Sequence, residues 1–208
     1  MTRGRLEAFS DGVFAVAITL LALNLAVAGP GHGTSLAHQI GHQWPAYVAY
    51  LISFFTIGII WVNHHALVSN VAQVTRTLLF LNLLMLLFVV LIPVATGTVG
   101  DYLASGGFDA KLAVALYGVA LVGMSIGFGL MLEWSLGEGR TLTPVPAEKH
   151  GAARIRFMSG SLVYLVMIGL AFVSALAALA LSGAVAVYYI FERTPTITRS
   201  SAAEGEDA

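Results

Sequence analysis

The sequence predicts an all-α, polytopic membrane protein with six transmembrane helices. Three observations lead there. Hydrophobic residues make up 58% of the 208-residue chain and charged residues only 10%, against about 25% charged in a soluble domain. Mean hydropathy is +0.85. The apolar residues gather in runs close to the roughly 20 residues that carry a helix across a bilayer core. A soluble fold of this size has too little interior to hide that much apolar surface, so lipid must cover it.

The spans follow in order. Segment one runs from Leu6 to Ala28, segment two from Pro45 to Val68, segment three from Thr77 to Val99 and segment four from Ala110 to Trp134. The run from Phe157 to Phe191 is too long for one span and just enough for two short ones. A break near Ser174–Ala178 divides it; one long tilted helix, giving five spans, is the alternative. Between Gly137 and Gly151 the residues Pro144, Pro146 and several charges read as a flexible connection. Pro93 is expected to kink segment three. Residues 1–192 thus form a single six-helix transmembrane domain, and 193–208, with Pro195 and no apolar run, form a disordered tail.

Charge sets orientation and excludes some partners. With six spans, nine of the ten basic residues share one side, and only Lys111 lies opposite. The positive-inside rule then puts both termini in the cytoplasm of a multi-pass cell-membrane protein. Arg3, Arg5 and the later Ala26-Val27-Ala28 imitate a cleavable leader, but Glu7 and Asp11 interrupt its start. Lysine and arginine number 10 against 11 acidic residues. No basic face interleaves with aromatics, so no nucleic acid partner is expected. The chain has no cysteine, which removes disulfides, thiolate metal sites and cysteine nucleophiles. No His-Glu-x-x-His, Gly-x-Ser-x-Gly or P-loop motif occurs, and the carboxylates sit at span ends and in loops. The chain is not expected to be an enzyme or to need a cofactor.

Segment one is the most informative. Its polar residues crowd the entry and its middle is apolar. Asp11, so close to the membrane, needs a donor; Arg5 and the His64–His65 pair are the candidates. The string Arg5-x-x-x-Phe9-Ser10-Asp11-Gly12, opening an apolar helix, resembles the signature of the transmembrane protein 175 family. Trp61 and His64–His65 in segment two resemble the same family, where a Trp and a His follow at this spacing. The resemblance implies a potassium-permeable channel. The animal branch of the family carries two six-helix repeats, and the bacterial branch carries one and assembles as a homotetramer. A single six-span chain is similar to the latter, and its permeant ion would be potassium.

In that family the first helices of four subunits line the pore, with an apolar constriction and a threonine layer. Carried over from Phe9-Ser10-Asp11, the lining residues are Val16, Thr19 and Leu23. Helical geometry agrees, since offsets of zero, three and seven fall within about 60° of each other. Leu20 lies about 40° from Val16 on the other side and shares the lining, while Leu21 falls on an adjoining face. Thr19 has a second reading, a bond back to its own helix backbone. The resemblance also implies a support network around segment one, made of Arg5, Phe9, Ser10, Asp11, Trp61, His64 and His65. A histidine pair hydrated in the headgroup layer is the alternative. A secondary transporter and a non-conducting membrane scaffold stay open as other functions.

Other constellations carry less. Thr98-Val99-Gly100-Asp101-Tyr102 is similar to the potassium-filter string but lacks its second glycine, and reads as a helix exit with Gly97 and Gly100 as terminators. Gly123 and Gly127 in segment four fit a small-xxx-small contact, within or between subunits. Glu133 and Trp134 read as interfacial residues. His32, His38 and His42 lie between segments one and two. His38 and His42 could share one helix face and hold a metal, with no third ligand in view. No metal site is expected from the neighbours His64 and His65, which point about 100° apart on a helix.

Overall fold

The computed structural model describes residues 2–25, 35–143 and 147–191, without the side chains of 24, 147–149, 152–153 and 156–158. Among these residues the chain is all helical. Helix α1 spans Arg3–Leu21, α2 Leu36–His42, α3 Trp44–Ser69, α4 Arg76–Tyr102, α5 Gly107–Ser135, α6 Ala147–Val173 and α7 Ala175–Phe191. Three of them, α3, α4 and α5, are long and apolar enough to cross a membrane. At 1.5 Å per residue each exceeds the roughly 30 Å of a hydrocarbon core. The apolar part of α6, Ser159–Val173, and the whole of α7 are shorter.

Local chemistry sets the helix ends. Thr75 caps α4 by accepting from the Leu78 amide at 3.3 Å, satisfying one of the orphan donors of the first turn. Pro45 sits in the first turn of α3, where its missing N–H costs nothing. Gly106 and Gly107, both at φ 67°, turn the chain from α4 into α5 through a backbone region that side chains resist. Ser174 divides the long apolar run. Its amide completes α6 by donating to Leu170 O at 2.8 Å, and its hydroxyl accepts from the Ala177 amide at 3.2 Å to start α7.

Several boundaries differ from the sequence reading. Segment one leaves α-geometry at Leu21 and continues as a 3-10 turn over Ala22–Leu25; its expected end at Ala28 lies outside the described residues. The short helix α2 was anticipated only as a face that His38 and His42 could share. Gly97 and Gly100 do not terminate α4, which runs on to Tyr102. A Cβ on Gly100 would stand 3.1 Å from Cβ of Ala46, so the glycine permits close approach to the start of α3. Helix α6 begins at Ala147, inside the stretch read as a loop. Pro93 lies buried within α4. The tail 193–208 lies outside the described residues.

The core sits where α4, α5 and α6 pack side by side, with α1 laid against α3 and α4. Helix α5 is the most buried helix, with Tyr117, Leu121, Met124 and Phe128 in the core and a row from Leu112 through Leu116, Val119 and Ile126 to Leu130 left exposed. Its Gly123 and Gly127 face Phe88 and the Met85 backbone of α4, nearer than a Cβ would allow. The small-xxx-small pattern is therefore used inside the chain, bringing two backbones together. At the end of the bundle where α3 ends, two turns are tied. The Ala72 amide donates to Arg140 O at 2.9 Å, and the Leu142 amide to Asn70 O at 2.8 Å. Arg154 of α6 forks onto both carboxylate oxygens of Glu133 in α5.

Candidate functional site

Helix α1 has two unlike faces. Leu6, Ser10, Phe14, Ala17 and Leu21 recur at steps of three and four and are buried against α3 and α4. Away from that buried face, Val16 is 54% exposed and Leu20 38%, and Leu23, in the 3-10 turn after α1, is 72% exposed, while Phe14 and Ala17 are at 1% and 0%. Thr19 is also exposed, and its hydroxyl donates to Val16 O at 2.9 Å. The four residues named from the sequence are thus all uncovered, three on α1 and Leu23 in the turn that follows it. With its proton given to the helix backbone, the Thr19 hydroxyl keeps its acceptor lone pairs. Leu21, the adjoining-face residue, is wholly buried.

Behind that face two hydrogen-bonded groups brace α1. The first is at the half-buried Asp11, whose Oδ1 accepts from the indole N–H of Trp61 at 2.8 Å. The donor is this indole, where the sequence offered Arg5 or the histidine pair. The reason is reach. Trp61 stands on α3 opposite Asp11, whereas Arg5 is exposed in the first turn of α1. The neighbouring Arg3 makes the terminal tie instead, donating to Ser69 O at 2.9 Å and pairing with Glu7 at 3.8 Å. The ring of His65 lies 6.2 Å from that of Trp61. Phe9 is half exposed.

The second group is buried. Nε2 of His64 lies 2.8 Å from Oδ1 of Asn82, and Nδ2 of Asn82 donates to Oγ of Ser10 at 3.1 Å. The ring of Phe14 lies 5.4 Å from that of His64. One amide on α4 therefore joins α1 and α3. The two histidines part company as adjacent helical residues must, with His64 inward and His65 outward.

Asn82 was missed from the sequence. The available signal was a lone amide inside the apolar run of α4, since a polar residue within a span needs a partner. A third polar group was missed as well. Ser53 Oγ lies 2.7 Å from Thr96 Oγ1 and 3.0 Å from Tyr117 Oη, all buried and joining α3, α4 and α5. Among the described residues no three histidine, cysteine, aspartate or glutamate side chains gather as a metal site.

Residues 5–93, which carry α1, α3 and most of α4, match the family model described as endosomal/lysosomal potassium channel TMEM175. A potassium channel of Streptomyces collinus is 48% identical over 205 residues, covering 96% of this chain and 97% of that one. The chain belongs to the TMEM175 family. A potassium channel of Chamaesiphon minutus is 33% identical over 192 residues, covering 89% of this chain and 92% of the relative. The crystal structure of a lysosomal potassium-selective TMEM175 homolog from Chamaesiphon minutus superimposes with a TM-score of 0.79 at 31% identity. That match covers 90% of this chain and 96% of the homolog. Within the TMEM175 family, then, the likeness to this homolog extends over nine-tenths of the chain.

Proposed function

We propose that this chain is a potassium-permeable cation channel whose conduction path is lined by the exposed face of α1. Six spans, α1 and α3 to α7, cross the cell membrane with both termini in the cytoplasm. Residues 1–192 make one channel domain, and 193–208 a disordered cytoplasmic tail. Four copies assemble around an axis, each turning Val16, Thr19, Leu20 and Leu23 toward it. The observation that carries this reading is the division of α1, with one face sunk in its own bundle and an apolar stripe with a single hydroxyl left uncovered.

The mechanism follows from those side chains. Rings of Val16 and Leu23 narrow the path and gate it by dewetting. Thr19 hydroxyls, with lone pairs free, offer oxygen to a partly dehydrated ion between the apolar layers. Potassium holds its water less tightly than sodium, so a tight apolar ring that forces dehydration favours potassium. The Asp11–Trp61 and His64–Asn82–Ser10 groups hold α1 at a fixed rotation, keeping the stripe on axis. His64 and His65 serve as support rather than as ion ligands.

A liposome flux assay on purified protein tests the proposal. A channel gives rapid, voltage-driven potassium flux with no coupled ion, larger than its sodium flux. Saturable flux coupled to a second ion would make the chain a transporter, and no flux would leave a scaffold.

A further inference from the structure

We propose that His38 and His42 form a two-histidine binding site for a borderline divalent cation of the Zn(II), Ni(II) and Cu(II) class, on the short helix between α1 and α3. The site stands on its own geometry and does not depend on the conduction reading. Helix α2 places the two imidazoles four residues apart on one face, the spacing by which a helix presents two histidines to one ion. Both side chains are exposed, and their ring centroids are 6.3 Å apart with planes inclined by 32°. An imidazole nitrogen bound to zinc lies about 2 Å from the ion and about 1.2 Å from its own centroid, so two rings sharing a tetrahedral ion stand about 5.3 Å apart. The observed 6.3 Å is about 1 Å wider, a gap that rotation of two exposed side chains closes without moving the backbone.

The local structure holds the pair in register. Ser35 caps α2 by accepting from the amide of His38 itself at 3.3 Å. At the other end the Gln43 amide donates to Gln39 O at 3.1 Å, and Gln43 leads directly into α3. A helix of seven residues is far below the length that holds itself in water. An ion bridging its first and last turns would bind the folded helix and not the open chain, so it would stabilise α2 by mass action. Among the described residues no aspartate, glutamate, cysteine or further histidine joins the pair, and water is the further ligand of the proposed shell. Such a shell favours copper over nickel and zinc by the general order of divalent affinities.

The test uses full-length, tag-free protein in detergent, titrated with Cu(II) and with Zn(II). The expected result is one ion per chain, with a copper spin-resonance spectrum showing two nitrogen ligands. Amide exchange over residues 36–43 should slow at least threefold when zinc is added. His38→Ala and His42→Ala should each weaken binding at least tenfold, while His150→Ala leaves it unchanged. The double variant His38→Ala with Ala37→His keeps the number of histidines but sets them five apart, on different faces, and should bind no better than His38→Ala. Equal melting temperatures of the metal-free variants would assign any loss to the ligands. No saturable binding up to about 1 mM ion, binding indifferent to both single substitutions, or full affinity in the shifted variant would each overturn the site.

Discussion

Nε2 of His64 lies 2.8 Å from Oδ1 of Asn82, and this contact joins α3 to α4 directly behind α1. Both residues are about 1% exposed, and Ser10, which completes the group, is at 0%. In an apolar interior a polar group left without its partner costs about 1–3 kcal/mol. Asn82→Ala strands two such groups at once, so it should destabilise the fold by at least about 2 kcal/mol. Removing all three polar groups with Asn82→Leu, His64→Phe and Ser10→Ala should recover most of that loss, because nothing is then left unpaired. Thermal unfolding in detergent reads both variants. A triple variant no more stable than Asn82→Ala would show that packing, not hydrogen bonding, sets the cost.

The Asp11–Trp61 bond is more exposed, and its worth is correspondingly lower. A hydrogen bond to a charged group contributes about 1.5–3 kcal/mol when well buried; with the indole 40% exposed, water competes, and roughly 1 kcal/mol is expected. A double-mutant cycle on Asp11→Ala and Trp61→Phe isolates it. The two changes together should cost less than the sum of each alone. Asp11→Asn, which keeps an acceptor, should retain more of the wild-type flux than Asp11→Ala. Strict additivity of the two substitutions would remove the bond from the account of how α1 is held.

The buried hydroxyl chain offers a cleaner test, because one atom can be deleted without changing shape. Tyr117→Phe removes only Oη, which lies 3.0 Å from Ser53 Oγ. Ser53 keeps its neighbour Thr96 at 2.7 Å, so no group is stranded. The expected loss is about 1 kcal/mol, visible as a small drop in melting temperature. Ser53→Ala instead breaks both contacts and should cost more. The reverse order of stabilities would show that the tyrosine hydroxyl, rather than the serine, anchors this cluster.

How much of this was legible in the sequence depends on the range of the interaction. The long helices could be read because their signal is local: composition and run length alone placed α3 within a residue of its observed Trp44–Ser69. The stripe on α1 was named from the family resemblance, and the helical period only agreed that its positions share a side. Gly100 was misread because its reason is Ala46, a residue on another helix. Asp11 lacked its donor for the same cause, since choosing among Arg5, His64, His65 and Trp61 requires knowing the rotation of α3 against α1. Asn82 stayed invisible because one amide in an apolar run has no spacing to betray its partners. Helix α2 was legible only in the spacing of His38 and His42, because seven residues leave little periodic record.

The exposed stripe leads to a graded prediction for conduction. Val16→Ala and Leu23→Ala should each raise potassium flux and lower the potassium-to-sodium ratio, because a smaller ring admits a more hydrated ion. Thr19→Val keeps the shape but removes the lone pairs, so it should lower flux with little change in stability. Leu162→Ala on α6, also exposed at 61%, serves as the control outside the stripe and should leave both quantities near wild type. Leu21→Ala is unsuitable as a control. Its side chain is fully buried, and the cavity left behind would cost about 2–5 kcal/mol. Flux measured in liposomes, normalised to protein, checks the set. Equal effects from Val16→Ala and Leu162→Ala would take the stripe out of the pore.

The close approach of α5 to α4 makes a last prediction, one that separates backbone contact from side-chain contact. A Cβ on Gly127 would stand 2.7 Å from Cα of Met85, whereas one on Gly118 would meet Cγ1 of Ile168 at 2.6 Å. The distances are alike, but the neighbours are not. Ile168 can yield only by turning at χ1, which a β-branched side chain in a helix resists, but no backbone need move. Met85 Cα cannot move unless α4 moves with it, and two packed helices resist separation because interiors are dense. Gly127→Ala should therefore cost more than Gly118→Ala, with overpacking of about 1–3 kcal/mol or above at position 127 and clearly less at 118. Alanine is otherwise the better helix former by about 1 kcal/mol, so any loss at either position is steric. Melting temperatures of the two variants, measured side by side in the same detergent, decide it. Equal stabilities would mean that α4 and α5 yield to one another and that their glycines do not set the helix spacing.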